Sequence, residues 1–245
     1  MQILGAKIDD ITMPEAILKI DGFLSNNSHF LTTPNPEIIL YGHKHSEYRR
    51  ILNNSDLALP DGIGLLLVSR LLGKPLRECV RGADMVPEIC RMAREKNLKI
   101  ALLGGLDQAA IQNAAAIMRG WGNTVVYAEH GVVKKDWQVP SFHEKIVKEM
   151  RACEPQILFV GFGHPKQEEW IEQYRNALPS VRLFMGCGGA LDFIAGRAKR
   201  APVWMRKIGL EWLWRLALEP KRIKRILNAV IIFPLTVIYA SIRKQ

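Results

Sequence analysis

Ile157-Leu158-Phe159-Val160-Gly161-Phe162-Gly163 is the stretch on which the fold turns. Four apolar residues in unbroken succession suit a strand covered on both faces, as in a parallel sheet, and a glycine-rich turn follows at once. Similar β-rich runs recur at 3–8, 29–33, 57–60, 99–103, 124–129 and 182–185. Helical patterns alternate with them at 36–41, 64–72, 84–96, 107–119 and 145–151. That alternation predicts a Rossmann-like α/β fold, a mainly parallel sheet covered by helices. Glycines gather just past the strands, at Gly104-Gly105, Gly161 and Gly163, and Gly186, Gly188 and Gly189. Ligands of such sheets bind at the carboxyl ends of strands, so these turns point to one crevice.

The 245 residues suffice for one α/β domain with a buried core and an appendage. The net charge is +10, and its placement is informative. Residues 197–245 carry twelve Lys/Arg and two Asp/Glu, while residues 1–196 balance at 22 of each. All the excess positive charge therefore sits in the last fifth of the chain. The opening ten residues lack the basic-then-apolar layout of a signal peptide. Cys79, Cys90, Cys153 and Cys187 are widely spaced without a CxxC pair. Both features lead us to expect a reduced, cytoplasmic setting.

After Gly196 the character changes. Trp204, Trp212 and Trp214 stand among Arg206, Lys207 and Arg215, then Pro220 breaks or restarts the helix ahead of Lys221-Arg222-Ile223-Lys224-Arg225. Residues 226–242 carry no charge. Seventeen helical residues reach about 26 Å, short of a hydrocarbon core of roughly 30 Å. We expect two units: a Rossmann-like catalytic domain at 1–196, and a basic amphipathic appendage at 197–245 lying in the interface of an anionic membrane. A short single span is the competing expectation. In solution the apolar tail also offers a surface for self-association.

Polar side chains collect at the predicted strand ends. Asp61 follows the run 57–60 and precedes Gly62; it suits a general base, and equally an N-cap of the helix starting near Gly62. Thr33 and Asn35 sit in a proline-punctuated turn, able to bond donor hydroxyls or phosphate, or to serve turn and cap chemistry. Arg81 offers a bidentate fork for phosphate or carboxylate. Asp84 fits a cap of the helix that follows it. The loop 161–168 opens a helix whose N–H groups suit a diphosphate, and Gln167 is a candidate donor contact. Gly188–Asp192 repeats that design, with Asp192 an acceptor for uracil or ribose or simply an exposed helix carboxylate. No Asp-x-Asp occurs, and the close pair His43 and His45 lies in a polar helical segment without Cys or acidic ligands, so no metal and no cofactor is expected. A departing diphosphate then needs protein cations. Arg215, Arg222 and Arg225, spaced by seven and three, are the candidates, on one helical face if Pro220 kinks the helix only modestly.

Thr33-Pro34-Asn35-Pro36-Glu37, Pro60-Asp61-Gly62-Ile63-Gly64, Arg81-Gly82-Ala83-Asp84 and Gly161-Phe162-Gly163-His164-Pro165-Lys166-Gln167-Glu168 come in order. Gly188-Gly189-Ala190-Leu191-Asp192, Arg200-Ala201-Pro202-Val203-Trp204, Gly209-Leu210-Glu211-Trp212 and Arg215-Leu216 follow. Together, across 33–225, they resemble the WecG/TagA/CpsF glycosyltransferase family. The resemblance implies an inverting, metal-independent transferase that moves N-acetylmannosamine from a UDP donor to N-acetylglucosamine-diphospho-undecaprenol at the cytoplasmic face of the membrane. A uronic-acid donor is its alternative. It favours Asp61 as the base, with Thr33 as a second catalytic residue. It implies a UDP-sugar site of Asn35, Gly62, Arg81, Gly104, His130, Gly161, Gln167, Gly188 and Asp192, with Arg215, Arg222 and Arg225 on the diphosphate and lipid acceptor. His130 matches a family loop near the nucleotide base, but Val132 and Val133 follow where relatives often carry an aromatic residue.

Two other classes fit the sequence less well. A dinucleotide-dependent dehydrogenase needs G-x-G-x-x-G in the first strand–helix turn, where Ile8-Asp9-Asp10 stands instead. A non-enzymatic adaptor would use only the tail, whose apolar run favours lipid over nucleic acid and leaves the strand-end polar residues without purpose.

Overall fold

The computed structural model describes residues 1–25, 27–131 and 140–243, with the side chains of Lys207 and Arg222 outside the described set. Strands β1 (Gln2–Ile3) and β2 (Ala6–Lys7) pair antiparallel through a two-residue turn, with Leu4 and Gly5 at φ 50° and 82°. Two successive positive φ values are the turn geometry that matches strand twist, and Gly5 adopts its value without steric cost. The run 3–8 is thus a hairpin outside the main sheet.

The other six runs form one parallel sheet: β3 (His29–Thr32), β4 (Leu57–Ala58), β5 (Lys99–Gly104), β6 (Thr124–Glu129), β7 (Ile157–Gly161) and β8 (Leu183–Gly186). Their spatial order is β4-β3-β8-β7-β5-β6. The chain lays β3 and β4 at one edge, crosses to build β5 and β6 at the other, and returns to fill the middle. This is an α/β fold as the alternating pattern predicts.

Strand β7 shows why. Ile157 and Phe159 enter the apolar layer on one face, with the helices Met13–Phe23, Gly82–Glu95 and Gln108–Gly120. Leu158 and Val160 enter the layer on the other, with Pro140–Cys153 and Lys166–Tyr174. All four side chains are fully buried, and each such burial contributes about 1.5–3 kcal/mol.

A third apolar cluster sits beyond the β4 edge. It joins the hairpin to the helices Pro36–Lys44, Ser46–Asn53 and Ile63–Leu71, and Phe233 and Val237 of the C-terminal segment complete it. That segment begins with short helices, Val203–Lys207 and Glu211–Leu218, and breaks at Glu219, at φ −133° and ψ 76°. The break is sharper than a modest kink, so the expectation of Arg215, Arg222 and Arg225 on one continuous helical face is corrected. Beyond it one helix runs Ile223–Ile242, 20 residues with mean hydropathy 1.8, and includes a π-helical turn at Asn228–Ile232. Phe233 and Val237 hold it against Pro36–Lys44 and Ile63–Leu71, while Ile231, Leu235, Ile238 and Ile242 face outward.

Candidate active site

A cleft of about 540 Å³ opens at the carboxyl ends of β3, β4, β7 and β8. The β3 loop contributes Thr33, Asn35 and Glu37; the β4 loop, Asp61 and Gly62; the following helix start, Arg81 and Gly82. Gly163, His164 and Gln167 come from the loop after β7, and Gly188 from the loop after β8. The C-terminal segment closes the remaining side with Glu211, Trp212, Arg215, Arg225, Val230 and Pro234.

Asp61 is fixed from two directions. Its backbone N–H donates to Pro34 O at 2.9 Å, and its Oδ2 accepts from Gly82 N at 3.2 Å. Gly62, at φ +104°, takes the N-cap position of Ile63–Leu71 and provides no side-chain cap. The carboxylate thus meets the start of the next helix, Gly82–Glu95, rather than the helix beginning beside it. A Cβ on Gly82 would lie 2.8 Å from Thr33 Cγ2, so a larger residue there would displace the Thr33 side chain. That close approach brings Thr33, Asp61 and Arg81 together. Enclosure in the cleft raises the Asp61 pKa to about 6, helped by the nearby Glu211 carboxylate, while the Gly82 N–H, Arg81 and Arg215 pull the other way.

Asn35 performs cap chemistry, its Oδ1 accepting from Glu37 N and Ile38 N at 3.0 Å each. Thr33 Oγ1 donates to Gly186 O at 3.4 Å and is nearly buried. Asp84 does not cap its helix. Its carboxylate instead meets Arg200 Nη1 at 2.7 Å and Arg206 Nη1 at 3.2 Å. Arg81 donates to Arg206 O at 2.6 Å and lies 3.5 Å from Glu211. Body and tail are therefore knitted by charge where both wall the cleft. Arg215 lies over the Phe193 ring at 4.7 Å, a cation–π distance, and Arg225 forks onto Glu37 at 2.8 and 2.9 Å.

The structure gathers Thr33, Asn35, Asp61, Gly62, Arg81, Gln167, Gly188, Arg215 and Arg225 around this cleft. Gly104, Gly161, His130 and Asp192 are not among its lining. Gly104, at φ +109°, lets β5 and β7 end in contact, since a Cβ there would lie 2.6 Å from Gly161 C. His130 N donates to Gln108 Oε1 at 2.9 Å. Asp192 is half-buried rather than an exposed helix carboxylate, and accepts from Leu106 N at 2.8 Å. Desolvation raises its pKa. The Arg222 side chain, Val132 and Val133 lie outside the described residues. Among the described residues, no three His, Cys, Asp or Glu side chains form a group suited to a metal ion.

Sequence reading passed over Glu37, Glu211, His164 and Glu168. Burial lowers the His164 pKa, and burial raises that of Glu168 to about 7. All four stand inside motifs quoted above; the partners of Glu37 and Glu211, Arg225 and Arg81, are distant in sequence.

The family model described as "Glycosyl transferase WecG/TagA/CpsF family" matches residues 1–245. Among similar curated proteins is the N-acetylglucosaminyldiphosphoundecaprenol N-acetyl-beta-D-mannosaminyltransferase of Staphylococcus aureus strain NCTC 8325. It is 33% identical over 229 residues, 92% of this chain and 87% of the relative. The proteins of the same name from strains COL and MRSA252 match with the same identity and coverage.

Proposed function

The chain belongs to the WecG/TagA/CpsF glycosyltransferase family, and from that premise we propose that it transfers N-acetylmannosamine from UDP-N-acetylmannosamine to N-acetylglucosamine on undecaprenyl diphosphate. The observation that carries the proposal is Asp61, a carboxylate of raised pKa in a cleft whose far wall is built from tail arginines.

In this mechanism the acceptor hydroxyl oxygen attacks the anomeric carbon from the face opposite UDP, and Asp61 takes its proton. The C–O bond to the diphosphate breaks, UDP leaves with the electron pair, and the anomeric centre inverts. A base with a pKa of about 6 is ionised at pH 7 and accepts a proton more readily than an ordinary carboxylate. Arg215 and Arg225 stabilise the departing charge, with Arg222 assigned to the same task; no divalent ion is required. Asn35, Gly62, Arg81, Gln167 and Gly188 form the donor side, and Gly104, Gly161, His130 and Asp192 its continuation along the strand ends.

Residues 197–245 serve as the appendage that brings the body to the cytoplasmic face of the membrane. Trp204 and Ile208 are about 60% exposed and, with the outward face of Ile223–Ile242, offer apolar surface beside basic side chains. The deciding experiment incubates the protein, with and without a chelator, with a panel of UDP-sugars and a short-chain lipid-diphosphate acceptor. A product heavier by one N-acetylhexosamine, formed from the N-acetylmannosamine donor in both arms, is expected. Transfer of the uronic acid instead, or no transfer from any donor, sinks the assignment.

A further inference from the structure

One buried carboxylate takes no part in the mechanism above. Glu168 is wholly buried, the third residue of the helix that follows the β7 loop. Its Oε2 accepts from Tyr48 Oη at 2.9 Å, and its Oε1 accepts from Gln167 Nε2 at 2.7 Å. The other end of the Gln167 amide faces two loops: Gln167 Oε1 accepts from Gly163 N at 3.1 Å and from Gly188 N at 3.0 Å. Both glycines line the cleft, one in the loop after β7 and one in the loop after β8. A single oxygen atom therefore holds the two loops at a fixed separation.

An amide is nearly symmetric in shape, so packing alone does not decide which end points where; its hydrogen-bond partners do. Turned over, Gln167 would set an NH₂ group against two N–H donors and an oxygen against a carboxylate, losing every one of these bonds. The two N–H donors oppose that state on one side, and Glu168, the acceptor on the Nε2 side, opposes it on the other. The space for the amide is equally specific. A Cβ on Gly186 would come within 2.8 Å of Gln167 Nε2 and 3.1 Å of Cδ. Gly186 also receives the Thr33 hydroxyl, which ties the clamp to the same cleft wall.

We infer that, for the sugar transfer proposed above, Glu168 is a positioning residue: its carboxylate fixes the Gln167 amide, and the amide sets the spacing of the Gly163 and Gly188 loops on the donor side of the cleft.

The test uses the full chain, with UDP as probe by titration calorimetry and donor kinetics alongside. Glu168→Leu removes the acceptor and keeps the volume. Its melting temperature should fall, since Tyr48 Oη and Gln167 Nε2 lose their acceptor, while in the folded protein the UDP Kd rises about tenfold, donor kcat/KM falls to match, and acceptor KM stays put. Glu168→Gln, whose carbonyl still accepts from Gln167, should stay within about threefold of wild type. Gly186→Ala pushes on the amide from the other side and should reproduce the UDP loss with Glu168 intact; it decides the matter if Glu168→Leu fails to fold. A folded Glu168→Leu or Gly186→Ala that binds UDP like wild type overturns the inference, as does a Glu168→Gln as damaged as the leucine variant. Failure of wild type to bind UDP would instead refute the donor site itself, so the two outcomes are separable.

Discussion

The body and the tail of this molecule are built on opposite principles. Residues 1–196 carry no net charge and hide their apolar residues in layers on both faces of a parallel sheet. Residues 197–245 carry a net +10 and leave much of their apolar surface outside, with only a few side chains, Phe233 and Val237 among them, sunk into the body. The cleft lies where the two meet: the body supplies Asp61 and the strand-end turns, and the tail supplies arginines. A layered body holds the strand-end residues of the cleft, and an element with little core of its own sets Arg215 and Arg225 on its wall. Arg81, Asp84, Arg200, Arg206 and Glu211 stitch that seam.

The division can be broken first from the body side. Asp61→Asn should lower kcat by about 10²–10⁴-fold while leaving the UDP Kd within about twofold, measured by single-turnover transfer and by calorimetry. Near-normal turnover would remove Asp61 as base. Next comes the anchor. Phe233→Ala should cost about 3–5 kcal/mol in denaturant unfolding, because it empties a fully buried site in the third apolar cluster. A loss below about 1 kcal/mol would mean the tail is not docked on the body as described.

On the tail side, the double variant Arg215→Ala/Arg225→Ala should reduce kcat by about 10²-fold, with a modest fall in melting temperature from the lost Arg225–Glu37 fork and Arg215–Phe193 contact. Point variants are preferable to deletion, which would strip Phe233 and Val237 from the core.

Titration sharpens the contrast more gently. The folded pKa of Asp61, about 6, stands above its ordinary 3.8, and that of Glu168, about 7, above 4.5. The folded state therefore binds these protons more tightly than the unfolded one. Their contribution to stability rises as pH falls through about 7 and 6 and is complete below the ordinary values. Activity runs the other way, since the base has to be ionised. Turnover should fall with unit slope below about pH 6, and the acid-side gain in melting temperature should shrink in Asp61→Asn. A flat rate profile from pH 5 to 8 would contradict this. Smallest of all, Trp204→Ala should weaken binding to anionic vesicles a few-fold and leave UDP binding unaltered.

Much of the body was legible because its signals are local. The unbroken run Ile157–Val160 announces a strand buried on both faces, and the glycines after it announce the crevice. The helix Met13–Phe23 was equally legible through its capping box, Thr12 with Glu15, yet the periodic reading passed over it. Asp61 shows where local signals stop. Spacing suggests a cap of the helix beginning beside it, whereas the carboxylate reaches across to Gly82, 21 residues on. Asp84 likewise reads as a cap and proves to be an anchor for Arg200 and Arg206, over a hundred positions away. The tail's basic and apolar composition is plain in the sequence, and Pro220, which disfavours helical backbone at the residue before it, marks the break at Glu219, but no periodicity gives its sharpness.

The most direct test of the shared cleft is a crystal structure of the full chain with UDP bound. The diphosphate should lie within hydrogen-bond distance of Arg215 or Arg225, with its sugar-bearing end turned toward Asp61. UDP lodged away from Asp61, or bound with no tail residue in contact, would contradict the joint construction of the site.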